Sequence, residues 1–364
     1  MSTLKVGEIK HENFTGTTQL KLDNSGQLGI GKTPGVLLDV NADAKINSIS
    51  IGKGANSVAG NTVLGESALD ASVSGGNNTA IGKEALTALT SGDKNTAVGK
   101  GALQANTTAG ENTSVGYNSM YANTTGTDNV AFGKDALSAN TTANNNTGIG
   151  YFALKANTTG ASNVAVGASA LGANTTANSN TAVGMESLGS NTTGASNAAF
   201  GKDALKENTT GDENVAVGGL SLDANTTGVE NTAIGYAALS SNTTANYNTA
   251  VGKSALVANT TGHSNVAIGA YSLDANTTAD KNTAVGYNSL TANTTGEENT
   301  ALGRQSLLVN TTGGSNVAIG VNTMSNNTTA SNNTACGNGA LAQNTTGANN
   351  VAVGANALDA NTTG

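Results

Sequence analysis

The sequence predicts an all-β fold, a β-solenoid of 17-residue coils, and three regularities of the 364-residue chain predict it. Every seventeenth residue from Gly65 to Gly354 is a glycine, and Leu or Met stands four residues after each of these glycines. From Asn106 to Asn361 every unit also contains Asn-Thr-Thr. Glycine and Asn-Thr-Thr in each unit disfavour helix, and a period this short does not fit the common helical repeats. We therefore expect each of the eighteen units to form one coil.

The unit reads N-[TV]-A-[VI]-G-x-x-[AS]-L-x-A-N-T-T-[GA]-x-x, and position 1 is its first Asn, as at Asn95. Residues 95–99 have the β-branched, alternating character of a strand. Leu103, at position 9, is expected on a second, shorter extended stretch. The glycine at position 5 would allow a positive φ or a close approach of backbones at the corner of the coil. The expected turn glycines are Gly82, Gly99, Gly116, Gly133 and Gly150.

Two neighbouring positions of the strand exclude charge in every unit. Position 4 is always apolar and is predicted to form the buried core, while position 3, as at Ala97, is nearly always Ala. Adjacent strand residues point to opposite faces, so a strand that is apolar at both positions is expected to be covered on both faces. We expect the interior of the coil to cover one face and further chains around a common axis, three in all, to cover the other. The predicted core residues include Val98, Val115, Phe132, Ile149, Val166, Phe200 and Cys336.

Asparagine at position 1 predicts a ladder of amides along the solenoid. Identical amides that stack at about 4.7 Å can hydrogen-bond to one another, and Thr hydroxyls can bond to backbone groups of the turns. The expected ladder contains Asn95, Asn112, Asn129 and Asn146, with a second column at position 12. Charged residues collect at the variable positions, which are expected to form the solvated surface.

Residues 1–60 do not follow the repeat and are expected to form a small β cap or attachment region before the solenoid of residues 61–364. Residues 19–30 alternate apolar and polar side chains around an Asn-Ser-Gly sequence, as a β-hairpin does. A solenoid needs an atypical end to cover its first open coil.

Composition argues against several functional classes. The net charge of −8 provides no basic patch for nucleic acid or anionic lipid. The sequence shows no signal peptide and no apolar run long enough to insert into a membrane. His11 and His263 lie far apart, Cys336 occupies the apolar position 4, and no carboxylate pair recurs. We therefore expect no enzyme, with no catalytic, cofactor-binding or metal residue and no cofactor.

Four tyrosines share position 6, the position after the corner glycine. These are Tyr117, Tyr151, Tyr236 and Tyr287, and other units place Lys, Arg or Ala there. Exposed aromatic residues could contact a host receptor or glycan. The alternative interpretation is that a surface position tolerates many residue types.

The motif Asn-Val-Ala-Ile-Gly at 265–269 and 316–320 resembles the head repeats of trimeric autotransporter adhesins (YadA-like). Residues 22–34 and 38–40 look like the upstream part of phage tail-fibre proteins. With its NTAxGxxAL…NTTG units, the chain is similar to YadA-domain structural proteins of marine bacteriophages. This resemblance implies three β-rolls around a common axis. The unit is longer than that of the adhesin heads, and the lack of a signal peptide and of a C-terminal membrane-barrel pattern favours the virion.

The leading hypothesis is therefore a non-enzymatic, homotrimeric fibre or spike on a phage particle. Its N-terminal region would dock to other virion proteins, and its rod would contribute to host attachment. One alternative is an ice-binding or other lattice-binding solenoid, because Thr107, Thr124 and Thr141 form a regular column. The other is a subunit of a self-assembling extracellular filament.

Overall fold

The computed structural model describes residues 43–364 and the backbone of four short strands before them. The chain forms two compact units, Met1–Thr125 and Gly126–Gly364. Each unit is described separately below.

The first unit begins with a four-stranded sheet. Its strands are β1 (Glu8–Ile9), β2 (Leu20–Leu22), β3 (Leu28–Ile30) and β4 (Leu38–Val40). Strand β2 pairs antiparallel with both β1 and β3, whereas β4 runs parallel to β3. The predicted hairpin is confirmed by the β2–β3 pair. Its Asn-Ser-Gly sequence, together with His11, lies outside the described residues.

An antiparallel segment precedes the parallel coils of the first unit. Strands β5 (Ala44–Ile46), β6 (Ile49–Gly52) and β7 (Thr62–Gly65) pair antiparallel in that order, with a short 3-10 turn at Ala55–Ser57 between β6 and β7. The parallel ladder then runs through β7, β8 (Thr79–Ile81), β9 (Thr96–Val98) and β10 (Thr113–Val115). The chain divides between residues 125 and 126, and the expected attachment role of residues 1–60 stays a prediction.

The second unit is a β-solenoid of fourteen short parallel strands, one in each coil. Each strand pairs with the same positions of the strand in the next coil, as Ala216 does with Ala233. The strands are β11 (Val130–Phe132), β12 (Thr147–Ile149), β13 (Val164–Val166), β14 (Thr181–Val183), β15 (Ala198–Phe200), β16 (Val215–Val217), β17 (Thr232–Ile234), β18 (Thr249–Val251), β19 (Val266–Ile268), β20 (Thr283–Val285), β21 (Thr300–Leu302), β22 (Val317–Ile319), β23 (Thr334–Cys336) and β24 (Val351–Val353). The predicted all-β solenoid of 17-residue coils is thus confirmed.

The interior of each coil is narrow and is filled by small residues around one larger apolar side chain. In the coil that starts at Asn95, the buried residues include Ala97, Ala102 and Leu103, each fully shielded from solvent. Asn95 and Asn106 are buried with them, and both side-chain amides donate to the carbonyl of Ala109. Because leucine and two amides already occupy the space, only alanine, serine or glycine fits at position 3 in nearly every unit.

The column predicted to be the buried core does not lie in the interior of the coil. Position 3 points inward, so position 4 points outward by the alternation of the strand. In the single chain, Val98, Val115 and Val166 are half-buried, and Phe132, Ile149, Phe200 and Cys336 are exposed. The interpretation of Cys336 as a buried thiol was wrong for the same reason.

The turn after the strand contains a glycine with a positive φ and further residues, other than glycine, that also have a positive φ. The five predicted turn glycines have φ between 126° and 142°. A Cβ atom on Gly99 would lie 2.3 Å from the carbonyl oxygen of Gly116, so the position also requires close stacking of coils. Leu103 is not on an extended stretch as predicted, because its φ is 50° and its counterparts in other coils share this conformation. Leu103 instead lies in a turn that directs its side chain into the core.

Two asparagine ladders run along the coils, and the predicted ladder is confirmed. In the first unit, the Nδ2 of Asn112 donates to Oδ1 of Asn95, and the Nδ2 of Asn95 donates to Oδ1 of Asn78, at 3.3 and 3.1 Å. In the second unit, the backbone N–H of Asn146 donates to Oδ1 of Asn129 at 2.9 Å. The ladders of positions 1 and 12 share an acceptor, the carbonyl of position 15.

Candidate interaction surface

Positions 2 and 4 of the strands form an uncharged outer face in each unit, with Thr, Val or Ala at position 2 and an apolar side chain at position 4. The in-register pairing places Val215 beside Thr232 and Val217 beside Ile234, so the same positions of successive coils become neighbours. Large side chains on this face remain open to solvent, with relative exposures of 57% for Phe132 and 46% for Leu302. A row of this kind forms a contiguous apolar surface, and such surfaces mark sites of interaction.

The outer strand face carries no charged residue at positions 2 or 4 in any of the eighteen units. Charged side chains lie on the other positions of the coil, where neighbouring coils form ion pairs. Examples are Lys94 with Glu111 and Lys206 with Glu186, both at 2.7 Å. These pairs are exposed and contribute little to stability. The contrast shows that charge is excluded from one side of the coil and accepted on the others.

The four candidate tyrosines are exposed but do not form one site. Tyr117 belongs to the first unit, and Tyr151, Tyr236 and Tyr287 lie several coils apart in the second. Tyr151 has Lys134 at 5.6 Å from its ring centroid, and Tyr287 meets the ring of Tyr271 edge to face at 6.2 Å. Each tyrosine therefore has its own surroundings, and the sequence column does not itself assemble a binding site.

His263 lies in a ladder of side chains at position 16 that the sequence reasoning missed. Its Nδ1 accepts the backbone N–H of Asn246 at 2.9 Å, and its own backbone N–H donates to Oδ1 of Asp280 at 2.6 Å. Oδ1 of Asn246 accepts the N–H of Val229 in the same way. The sequence signal was the recurrence of Asn, Asp, Ser and His at position 16. His263 thus links neighbouring coils through its Nδ1.

The Asn and the first Thr of each Asn-Thr-Thr segment form internal connections, whereas the second Thr is exposed, as at Thr227. The amide of Asn225 is fully buried and donates to Asn208 Oδ1 and to the Gly228 carbonyl. The hydroxyl of Thr226 donates to the carbonyl of Thr243 at 3.0 Å. The buried Asn offers no acceptor for glycosylation in the folded chain. The position-13 hydroxyls, of the column to which Thr107, Thr124 and Thr141 belong, thus link neighbouring coils, and the lattice-binding alternative stays a prediction.

Two aspartates at position 10, Asp223 and Asp274, have raised pKa values. Burial, followed by the nearby Asp203 and Glu207 carboxylates, raises the pKa of Asp223. Oδ1 of Asp223 is buried and has no hydrogen-bond partner. Burial also raises the pKa of Asp274, although Thr291 donates a hydrogen bond to its Oδ1 at 3.0 Å. Across the described part of the chain, no cluster of His, Cys, Asp and Glu side chains is arranged to hold a metal ion.

No helix in the described ranges combines the length and apolar character needed to cross a membrane. Comparison with known proteins gives no match to any family model, to any curated protein or to any solved structure. The outer strand face therefore has to be interpreted from its own geometry.

Proposed function

We propose that this chain is a non-enzymatic structural subunit of a homotrimeric fibre or spike on a phage particle. The observation that carries this proposal is the outer strand face, which is uncharged at positions 2 and 4 and carries a half-buried or exposed apolar side chain at position 4 of every coil. A solitary chain would leave this face in water along every coil, at a cost that grows with each repeat. Packing of the faces of three chains around a common axis removes this surface from water.

In this proposal the chain acts through the stiffness of its fold and through the number of copies of its surface. A stack of in-register coils is stiff because each coil bonds to the next through backbone, amide and hydroxyl ladders, as from Thr226 to Thr243 and from Asn225 to Asn208. A stiff fibre presents its surface at a distance from its base and in several copies, which raises avidity without tight single contacts. The sequence resemblance to YadA-domain phage proteins supports the virion as its location. The N-terminal sheet β1–β4 would then serve for docking to other virion proteins, and the repeat for contact with the host.

Cys336 provides a direct test of the packing, because it is the single cysteine of the chain and lies on the outer strand face. Copies that pack through this face bring their Cys336 thiols to one level. We expect a short bis-maleimide to link the full chain into covalent dimers on a denaturing gel, at a yield that does not fall on dilution. One thiol per chain and two reactive ends per reagent allow no larger product, so the third chain of each assembly stays unlinked. The control is the Cys336→Val/Thr346→Cys variant, whose thiol lies on an exposed turn of the coil. Equal linking of the two proteins would contradict the proposed interface.

The virion location has a separate test. Mass spectrometry of purified phage particles that encode this chain should detect it in a multiple of three copies per particle. Its absence from purified particles would contradict the proposed location and leave the interface untouched.

A further inference from the structure

A shallow groove of about 190 Å³ lies on the second unit, away from its strands. Ser169, Glu186, Gly189, Ser190 and Lys206 line it. These residues occupy positions 7, 10 and 11 of three successive coils, on the segment that follows the turn glycine.

Glycine at position 10 explains the depression. The coils that start at 163 and 180 have Gly172 and Gly189 at this position, whereas the flanking coils have Lys155 and Lys206. Of these residues, Gly189 and Lys206 line the groove. The missing side chain at Gly189 leaves the gap, and the Lys206 side chain borders it. No other pair of adjacent units in the sequence has glycine at position 10.

An aromatic pair lies one coil before the groove. The backbone N–H of Ser169 donates to the carbonyl of Tyr151 at 2.8 Å, which places the two coils in contact. The rings of Tyr151 and Phe152 are stacked, with their centroids 3.8 Å apart and their planes 25° from parallel. Phe152 has a φ of 60°, an uncommon conformation for an aromatic residue. Tyr151 remains 48% exposed, so its ring presents apolar surface beside the groove.

Cationic groups flank the aromatic pair. Nζ of Lys155 lies 3.9 Å from the centroid of the Phe152 ring, and Nζ of Lys134 lies 5.6 Å from that of Tyr151. In the part of the chain that the structure describes, no carboxylate lies within ion-pair distance of Lys155. Its ammonium group therefore keeps hydrogen-bond donors for an anion in solution.

The far side of the groove carries both donors and acceptors. Nζ of Lys206 pairs with Oε2 of Glu186 at 2.7 Å, and both residues line the groove. Ser169 and Ser190 also line the groove, and the hydroxyl of Ser190 donates to Oε2 of Glu207 at 3.4 Å. Sugar hydroxyls both donate and accept, and their C–H faces pack on aromatic rings, so this combination of groups matches a saccharide.

We propose that the groove, together with the adjoining surface of the coil before it, binds an acidic saccharide. A sugar ring would lie beside Tyr151 and Phe152, sugar hydroxyls on Glu186 and the serines, and the sugar carboxylate on Lys155. The inference rests on the proposed attachment role, to which it adds a class of ligand. Positions 7, 10 and 11 lie outside the outer strand face, so packing of three chains through their strands leaves the groove open. Three grooves per fibre level would then act together on a polymeric glycan.

The test uses the full chain and two acidic probes, 3′-sialyllactose and tri-galacturonate, with lactose as the neutral comparison. Saturation-transfer NMR titrations give the affinity of each probe. We expect at least one acidic probe to bind at least about tenfold more tightly than lactose. Failure of both acidic probes to bind, or equal binding of lactose, would overturn the proposal.

Variants drawn from residues already present at the same positions keep the fold intact. Tyr151→Ala/Phe152→Ser removes the platform, and Gly189→Leu fills the groove, as Leu308 does at position 10 elsewhere. Each should weaken binding of the acidic probe at least about tenfold, and Lys155→Ser should abolish the preference over lactose. The matched control Tyr236→Ala, an equally exposed tyrosine at position 6, should bind as the parent does. A loss of binding in Tyr236→Ala equal to that in the groove variants would contradict the assignment.

Light scattering on the same samples separates this inference from the proposed function. A trimer that fails to bind either acidic probe overturns the groove assignment alone. A monomer overturns the trimeric fibre, whatever it binds.

Discussion

At the scale of single residues, the asparagine amide explains why this chain can do without large side chains. Asn231 donates from Nδ2 to the Ala245 carbonyl and to Asn214 Oδ1, while its own Oδ1 accepts the backbone N–H of Asn248. One buried side chain therefore satisfies groups of three coils. Such networks are favourable when complete and costly when one member is missing, because the remaining groups stay buried without partners.

The first prediction concerns this ladder. Asn231→Ala removes the acceptor of the Asn248 N–H and should lower the free energy of unfolding by about 1–3 kcal/mol. Urea denaturation followed by circular dichroism measures the change. Glu230→Ser, an exposed neighbour whose counterpart in other coils is serine, should stay within about 0.5 kcal/mol of the parent. Equal effects of the two substitutions would contradict the role given to the ladder.

The turn glycine leads to a second prediction. Gly235 has a φ of 137°, and a Cβ atom there would lie 2.5 Å from the carbonyl oxygen of Gly252. Gly235→Ala should therefore cost at least about 2 kcal/mol or prevent folding. Gly219→Ala is the control, since its Cβ would meet no atom closer than 3.8 Å and Ala168 occupies the same position. Thermal denaturation measures the melting temperature of each variant. A melting temperature of Gly219→Ala as low as that of Gly235→Ala would contradict this explanation.

Asp223 predicts a dependence of stability on pH. Its pKa is raised in the folded chain, chiefly by burial, so the folded state binds the proton more tightly than the unfolded state does. The carboxylate then destabilises the fold above the raised pKa, and this effect disappears as the pH falls below the unfolded value of about 4. Asp223→Asn should raise the melting temperature at pH 7 and leave it nearly unchanged at pH 3. A variant that is less stable than the parent at pH 7 would contradict the shift.

At the scale of the strand, periodicity predicted the coil but not the direction of its faces. Alternation places positions 3 and 4 on opposite sides, and both exclude charge, so the pattern alone does not say which faces inward. The volume of the interior determines that position 3 faces inward. Leu103 and the amides of Asn95 and Asn106 fill the space, and Ala97 fits where Val98 does not.

The left-handed leucine and the groove were beyond sequence reasoning for other physical reasons. Leucine seldom adopts a positive φ, so nothing in the residue type predicts the conformation of Leu103. The groove is lined by residues of successive coils, such as Ser169 and Glu186, which are one repeat apart in the sequence and become neighbours only in space. By contrast, the asparagine ladders and the turn glycines followed from repetition itself, because each unit places the same group on the same group.

The outer strand face carries the prediction at this scale. Ile234→Lys places a charge on a side chain that is 39% exposed in the single chain, so the coil itself should fold with an unchanged far-ultraviolet spectrum. In an assembly that buries this face, the charge should reduce the fraction of trimer, because an unpaired buried charge is costly. The control Gly219→Lys adds the same charge at position 6, where Lys202 and Lys253 already occur. It should leave the fraction of trimer unchanged. Trimer retention by Ile234→Lys in sedimentation would contradict burial of the face.

At the scale of the whole molecule, repetition determines how stability and assembly add up. Each coil contacts its neighbours through the same ladders, so the contribution of one coil recurs along the unit. The apolar outer face recurs with it, and the driving force for association grows with the number of coils. In the repeats, the charged residues lie at positions other than 2 and 4, where they do not oppose contact between strand faces.

The mass of the full chain in solution tests the central claim most directly. Light scattering after size-exclusion chromatography should give three times the 35.6 kDa of one chain, at every concentration down to the micromolar range. A species of one chain's mass would leave the outer strand face in water and would contradict the fibre.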